Sequence, residues 1–324
     1  MSKVIALILT YNRKKLLQEA IDALLKQTAC CDILIVDNAS TDGTKEIVKD
    51  YKGSHTNIDY INTGSNLGGA GGFSFGIKEC VKRGYDYIWL MDDDTIPYPT
   101  ALERLIEAKD ELKDDFGFLS SVVEWTDGHM CKMNMPLVAD EWWDYAPAIS
   151  HNLLAIKKGS FVSFFISSKT VKRVGLPIKE FFIWYDDSEY SRRIVENENI
   201  GYLVADSRVL HKMGSNSKVD IVTENGDRLQ RYRMAYRNRY YLNKGSYKGL
   251  CVRGGAEVSA DWNNSVINYA SVKATAANSF SIKIPQNKNK PYRILLNGKT
   301  IKTVPDTHRI ITIPMKAGDL LEIK

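Results

Sequence analysis

The chain has 324 residues, enough for one large domain or two ordinary ones around a substantial core. Its 44% hydrophobic and 26% charged residues are those of a soluble globular protein, and no apolar run reaches the ~18–20 residues of a membrane span. The formal net charge of +5 permits attraction to anionic lipid or a phosphorylated ligand without demanding it. Basic residues are concentrated in one segment alone, which argues against nucleic acid as a partner. Cys30, Cys31, Cys80, Cys131 and Cys251 have neither disulfide nor zinc spacing and read as reduced thiols. The opening "MSKVIALILTYNRKK" lacks a small-residue cleavage site and turns polar at Thr10. It therefore reads as a first strand, and a cytoplasmic location is expected.

The first half alternates strands and helices. "KVIALILTY" (3–11) is a buried strand, and "RKKLLQEAIDALLKQ" (13–27) places Leu16, Leu17, Ala20, Ile21, Leu24 and Leu25 on one helical face. "CDILIVDN" (31–38) is a second strand. "STDGTKEIVKDY" opens a second helix with Thr41 or Asp42 as its cap. "IDYINTG", "GGFSFGIKECVKRG" and "YDYIWLMD" continue as strand, helix and strand. Such alternation predicts an α/β fold with a mostly parallel sheet covered on both faces. Ligands of these sheets gather at the carboxyl ends of the strands. Asn12, Asp37, Asn38, Asn66 and Asp92 to Asp94 all fall there.

Further along, "FVSFFISSKTVKRVGLP" predicts a strand and a short helix. "KEFFIWYDDSEYSRRIVENEN" runs from aromatics through an acidic pair into an amphipathic helix, and "IGYLVADSRVLHKMG" is a strand with a polar tip. "DRLQRYRMAYRNRYYLNK" (227–244) is a basic, tyrosine-rich helix. From about Gly245 short alternating strands take over, separated by Asn, Gly and Pro turns that include an Asn297–Gly298 hairpin signal. The expected division is a catalytic domain over 1–244 and a small β-sandwich over 245–324.

Three consecutive aspartates, Asp92, Asp93 and Asp94, end a buried strand. In extended backbone, residues two apart point the same way, so Asp92 and Asp94 can converge on one cation. Oxygen ligation selects a hard ion, Mg²⁺ or Mn²⁺, which also binds substrate phosphates. The competing reading is a solvated turn in which Asp94 or Thr95 caps the next helix. Asp186, Asp187 and Glu189 follow the apolar "EFFIWY". Partial desolvation there makes a carboxylate a stronger proton acceptor, while a helix-capping role for Asp187 stays open. His211 ends a strand beside a polar segment and by itself reads as a satisfied surface histidine. The glycine-dense "TGSNLGGAGGFSFG" leads into a helix and lets backbone approach a ligand, but lacks both the P-loop lysine and the dinucleotide fingerprint.

Taken in order, "LILTYNRKKLL", "VDNASTDGT", "NLGGAGGF" and "WLMDDDT" resemble the nucleotide-sugar half of a family 2, GT-A inverting glycosyltransferase. "GGAGGF", the triple aspartate, "FIWYDDSEYSRR" and "LHKMG" further resemble the bacterial galactofuranosyltransferases, over roughly residues 3 to 244. The resemblance implies transfer of galactofuranose from UDP-galactofuranose to a hydroxyl of a glycan or lipid-linked glycan, building an O-antigen, capsule or galactan, with Mn²⁺ or Mg²⁺ as cofactor. It implies that Thr10 and Arg13 lie near the nucleotide and diphosphate. Asp37 and Asn38 contact the uridine, and Asn66, Gly68 and Gly69 line the donor pocket. Asp92, Asp94 and His211 would hold the metal, with Asp93 on the donor sugar or ribose. Asp187 would be the general base, and Trp184, Tyr185 and Asp186 would meet the acceptor. The family pattern places tryptophan directly before the acidic pair, where this chain has Tyr185.

One base without a paired carboxylate suits an inverting transfer better than hydrolysis. The alternatives are a dTDP-rhamnose-dependent rhamnosyltransferase on the same fold, a nucleotidyltransferase, and a non-catalytic sugar-binding protein. The Arg- and Tyr-rich helix, with Arg228, Arg231, Arg233, Arg237 and Arg239, suggests peripheral contact with the inner face of the cytoplasmic membrane. The β-sandwich is expected to bind carbohydrate or to associate subunits into a homo-oligomer.

Overall fold

A computed structural model describes residues 2–216, 226–242, 245–252, 254–263, 266–284, 292–305 and 309–324. The chain divides into two compact units, 1–235 and 236–324. The division falls inside the basic helix, before the residue 244 expected from sequence.

The first unit begins as anticipated: β1 (Val4–Thr10), α1 (Lys14–Leu25), β2 (Asp32–Asp37), α2 (Thr44–Ser54), β3 (Ile58–Asn62), α3 (Gly68–Lys82) and β4 (Tyr87–Asp92). Then follow β5 (Thr95–Pro97), α4 (Ala101–Glu111), β6 (Phe118–Glu124), β7 (Leu137–Val138), β8 (Leu153–Lys158), β9 (Phe164–Ser167), α5 (Ser168–Val174), α6 (Asp186–Asn197), β10 (Gly201–His211) and α7 (Gly226–Leu242). The sheet runs β3-β2-β1-β4-β9-β6-β10-β8-β7, with β5 paired to β10. Strands β1 to β4 are mutually parallel, as are β6 and β10, while β5, β7, β8 and β9 pair antiparallel.

Side-chain alternation divides the core into two layers. Ala6, Ile8, Ile33 and Ile35 face the layer holding Leu17, Ile21, Leu102 and Leu105 from α1 and α4. Ile5, Leu7, Leu34 and Val36 face the layer holding Phe73, Ile77, Tyr190 and Ile194 from α3 and α6. Buried Trp89 has polar partners. Its Nε1–H donates to Ser163 Oγ (2.8 Å), which continues through Ser121 and Ser207 to the Ala101 carbonyl.

Two local expectations change. Asp93 and Asp94 form the turn between β4 and β5 and are not extended, so it is the turn that brings Asp94 back toward Asp92. Helix α4 starts at Ala101 after Thr100, so neither Asp94 nor Thr95 caps it. Asp42 does serve helix starts: its carboxylate accepts the N–H groups of Thr44 (3.2 Å) and Lys14 (2.9 Å) at the heads of α2 and α1.

In the second unit, β11 (Gly245–Val252), β12 (Ala256–Asn263), β13 (Val266–Ala274), β15 (Ile294–Leu296), β16 (Lys299–Thr300) and β18 (Leu320–Ile323) make an antiparallel sheet in the order β11-β12-β13-β18-β15-β16. A second sheet pairs β14 (Asn278–Lys283) with β17 (Ile310–Met315). Ile294, Ile311, Ile313, Met315, Leu321 and Ile323 fill one core shared by both sheets. Asn297 and Gly298 turn β15 into β16, as their dipeptide predicts. No helix among the described residues is long and apolar enough to cross a membrane.

Candidate active site

The loops after β1 and β2 are tied together. Asn12, held at φ 55°, accepts the Thr41 N–H (2.7 Å) and donates its own N–H to Ser40 Oγ (2.9 Å). Beside them Thr10 Oγ1 donates to Asp93 Oδ2 (2.8 Å). The Arg13 guanidinium spans Asp94 Oδ2 (2.7 Å) and Asp93 Oδ1 (3.4 Å). Thr10 and Arg13 therefore stand at the acidic turn.

Asp37 is fully buried. It accepts from the Ser40 N–H (2.8 Å), the Tyr60 hydroxyl (2.6 Å) and Asn62 Nδ2 (3.3 Å). Both of its oxygens thus already accept hydrogen bonds. Half-buried Tyr60 and exposed Asn62 are the groups that cover it. Burial and the Asp37 charge push the Tyr60 hydroxyl up to about 12, which keeps it a donor. Asn38 is likewise buried and donates to the Gly68 carbonyl (2.9 Å).

Helix α3 starts at Gly68, three residues before the expected "GGF", because two acceptors catch its first N–H groups. Asn66 Oδ1 takes the Gly68 N–H (2.8 Å), and the Phe182 carbonyl takes that of Ala70 (3.1 Å). Gly68 sits at φ 72° with the Phe182 carbonyl where a Cβ would be, 2.2 Å away. The chain of Phe182 thus rides directly on the glycine loop.

Strand β5 carries the acidic turn to β10. Thr95 pairs with His211, and the Lys212 N–H donates to the Asp94 carbonyl (2.9 Å). Asp92, Asp94 and His211 consequently each present a ligand atom within 4.8 Å of the others. His211 Nε2 stands 3.1 Å from Asp94 Oδ1, an oxygen that is buried yet has no hydrogen-bond partner. Adjacent ligands of an octahedral cation bound at about 2.1 Å lie ~3.0 Å apart. The orphaned oxygen and the O, O, N donor set therefore fit a hard divalent ion. Burial, and then the Asp94 charge, raise Asp92. Burial alone would raise Asp94 too, but the close approach of His211 and the charge of Arg13 hold it below the ordinary carboxylate range.

The second acidic group follows a strained loop. Phe182, Trp184 and Tyr185 all have positive φ (63°, 63° and 66°), a conformation disfavoured for large side chains. Trp184 meets the Tyr232 ring of α7 edge-on, centroids 5.0 Å apart. Tyr185 is the residue before α6, so Asp187 lies inside the first turn and is not its cap. Asp186 is buried, and a Cβ on Gly69 would stand 3.9 Å from its Oδ2. Burial and then the Asp187 charge raise Asp186 well above the ordinary range. Half-buried Asp187 accepts from the Ser188 N–H (2.6 Å) on Oδ1, and among the described residues nothing donates to its Oδ2. Burial raises Asp187 as well, against the opposing charge of Lys158. Glu189 turns away to Arg193 (2.7 Å).

The sequence reading omitted Tyr60, Asn62 and Lys158 from this group. Asn62 had a signal, since it ends the third strand at the ligand edge. The strain at 182–185 had none. In α7, Tyr232, Ala235, Asn238 and Leu242 are buried, while Arg231, Arg233, Arg237 and Arg239 are exposed; the side chains of Arg228 and Tyr240 lie outside the described ones.

A mostly parallel sheet that gathers an acidic turn, a glycine loop and a second carboxylate group at its strand ends has the GT-A fold of glycosyltransferases. Residues 5–149 match the family model for glycosyl transferase family 2, and the chain is a glycosyltransferase carrying that domain. Residues 240–323 match the model for the C-terminal domain of glycoside hydrolase family 95. The chain is 28% identical over 254 residues to galactofuranosyltransferase GlfT1 of Mycolicibacterium smegmatis, covering 74% of this chain and 82% of that one. To GlfT1 of Mycobacterium tuberculosis it is 26% identical over 249 residues, covering 74% and 81%. Among solved structures, GalNAc-T7 with UDP, GalNAc and Mn²⁺ superposes with a TM-score of 0.56 at 13% identity, over 74% of this chain and 49% of that one. Staphylococcus aureus TarS with UDP-GlcNAc gives 0.51 at 14% identity, over 73% and 65%. These likenesses bear on the fold.

Proposed function

We propose that this chain transfers galactofuranose, with inversion, from UDP-galactofuranose to a hydroxyl of a cell-surface glycan. The observation that carries the reading is the Asp92, Asp94 and His211 cluster with its orphaned Asp94 oxygen, set beside the similarity to two galactofuranosyltransferases. Asp92, Asp94 and His211 would hold a divalent ion, Mn²⁺ or Mg²⁺, whose charge would offset that of the diphosphate leaving group. Arg13 adds a second positive charge there, and Thr10 fixes Asp93, which faces the donor sugar or ribose. Asp37 reads the uridine together with Tyr60, Asn62 and Asn38, and Asn66, Gly68 and Gly69 line the donor pocket. Trp184, Tyr185 and Asp186 orient the acceptor. Asp187 takes its hydroxyl proton on the open Oδ2 as the oxygen attacks, and no covalent sugar–enzyme bond forms.

The exposed arginines of α7, with Tyr236 and Tyr241, support peripheral contact with anionic lipid near a lipid-linked acceptor. The second unit is read as a carbohydrate-binding or subunit-associating module.

Calorimetric titration of UDP with Mn²⁺ and with EDTA, repeated with dTDP, tests the donor site; turnover of UDP-galactofuranose then tests the sugar. Metal-dependent UDP binding tighter than dTDP supports the proposal. Preference for dTDP moves the donor to dTDP-rhamnose, and binding of neither removes the metal reading.

A further inference from the structure

The side of the His211 ring remote from Asp94 is also occupied. His211 Nδ1 lies 2.8 Å from Asn134 Oδ1, and Asn134 Nδ2 lies 2.7 Å from Ser160 Oγ. Ser160 is itself buried and fixed by the Val162 N–H (3.3 Å). Cys131 Sγ, the other group near Nδ1, is farther away at 3.7 Å and is turned toward Met213 Sδ (3.9 Å). Asn134 ends a short 3-10 turn, 132–134, that no catalytic reading of the sequence touched.

We infer that Asn134 is a positioning residue for the metal site: its amide oxygen holds the proton on His211 Nδ1, leaving the Nε2 lone pair for the cation. The inference rests on the metal reading above and extends it beyond the three ligands. A neutral imidazole carries one proton, and an acceptor at one nitrogen fixes that proton there. The amide can keep its oxygen toward the ring only if its NH₂ has another acceptor, and Ser160 Oγ supplies one. The arrangement also fixes the ring plane, so Nε2 stays aligned with Asp94 Oδ1. Groups that orient a metal-bound histidine in this way typically change metal affinity about 10–100-fold.

The test is Mn²⁺ binding to the full chain, followed by electron paramagnetic resonance of the free ion, with Mn²⁺ alone as probe. Asn134→Ala is expected to weaken binding about 10-fold or more, and Asn134→Asp, which retains an acceptor oxygen, to restore most of it. In a His211→Ala background, Asn134→Ala is expected to change affinity less than about twofold, because its effect passes through the ring. An equal loss in both backgrounds, or no loss in either, overturns the inference. Should Asn134→Ala lose cooperative unfolding, long-range ¹H–¹⁵N spectra of histidine-labelled wild type with Mg²⁺ decide: a proton on Nδ1 supports the assignment, and one on Nε2 overturns it. Failure of the wild type to bind Mn²⁺ is a separate outcome and overturns the metal reading itself.

Discussion

Gly68→Ala gives a direct test of how the glycine loop and the acidic loop are joined. At φ 72° an L-residue costs about 1–2 kcal/mol relative to glycine. The new methyl would also lie 2.2 Å from the Phe182 carbonyl oxygen and 2.7 Å from two ring carbons, so Phe182 must move. That movement releases the Ala70 N–H, worth roughly 1 kcal/mol. The expected loss is about 3 kcal/mol, or ~6–12 °C in melting temperature for a unit of this size. Gly53→Ala is the control: helical backbone in α2 with no atom within 4 Å of the added methyl. It should stabilise by about 0.4–1 kcal/mol. Urea and thermal unfolding of both variants measure the contrast. A Gly68→Ala loss below ~1 kcal/mol would refute the close approach of the two loops.

Ser163→Ala leaves the buried Trp89 Nε1–H without an acceptor and should cost about 1–3 kcal/mol in urea unfolding; a neutral effect would mean the indole finds another partner. Arg193 donates to both Glu189 oxygens and to the carbonyls of Val174 and Leu176, so Arg193→Met strands a buried carboxylate and should cost about 3 kcal/mol. Arg193→Lys should recover little, because an ammonium cannot reproduce the fork. Asp187 must be ionised to accept a proton, and burial raises its pKa. Hence kcat/KM should fall, as pH drops, at a value above the ~3.9 of an unperturbed aspartate, and an acid limb at or below 4 contradicts this role. Asp187→Asn should lower kcat by about 10²–10⁴-fold with UDP binding unchanged, as read by paired kinetics and calorimetry.

The βα alternation of the first half was legible because each element there is local: apolar periodicity, a capping aspartate and a glycine break mark its ends. Asp92 and Asp94 could be nominated by residue type and strand-end position, and His211 only through the family resemblance. Their meeting could not be read, because it depends on Thr95 to Pro97 pairing antiparallel with β10, and three residues carry no periodic signal. Asn134 was invisible for the same reason, being 77 residues from the histidine it touches. The burial of Asp37 beneath Tyr60 and Asn62 follows from the β2–β3 register, which pairs Asp37 with Asn62. Positive φ at Phe182, Trp184 and Tyr185 runs against the preferences of those side chains, so local sequence argues the opposite of what tertiary packing imposes.

The register that sets Thr95 against His211 also bears on when the protein becomes competent during folding. The two aspartates lie in the first third of the chain, and the histidine comes roughly 120 residues later, so assembly of the proposed cation site must await one of the longest-range strand pairings in the unit. A nascent chain that has emerged only through α3 already holds the glycine loop and the Asp37 strand but cannot retain the ion. On the proposed metal reading, once β10 docks, added Mn²⁺ favours the native state over every species in which β10 is detached. Metal should therefore slow the opening of β5 and β10 while leaving the early collapse of β1 to β4 unchanged, a separation that hydrogen exchange resolves strand by strand.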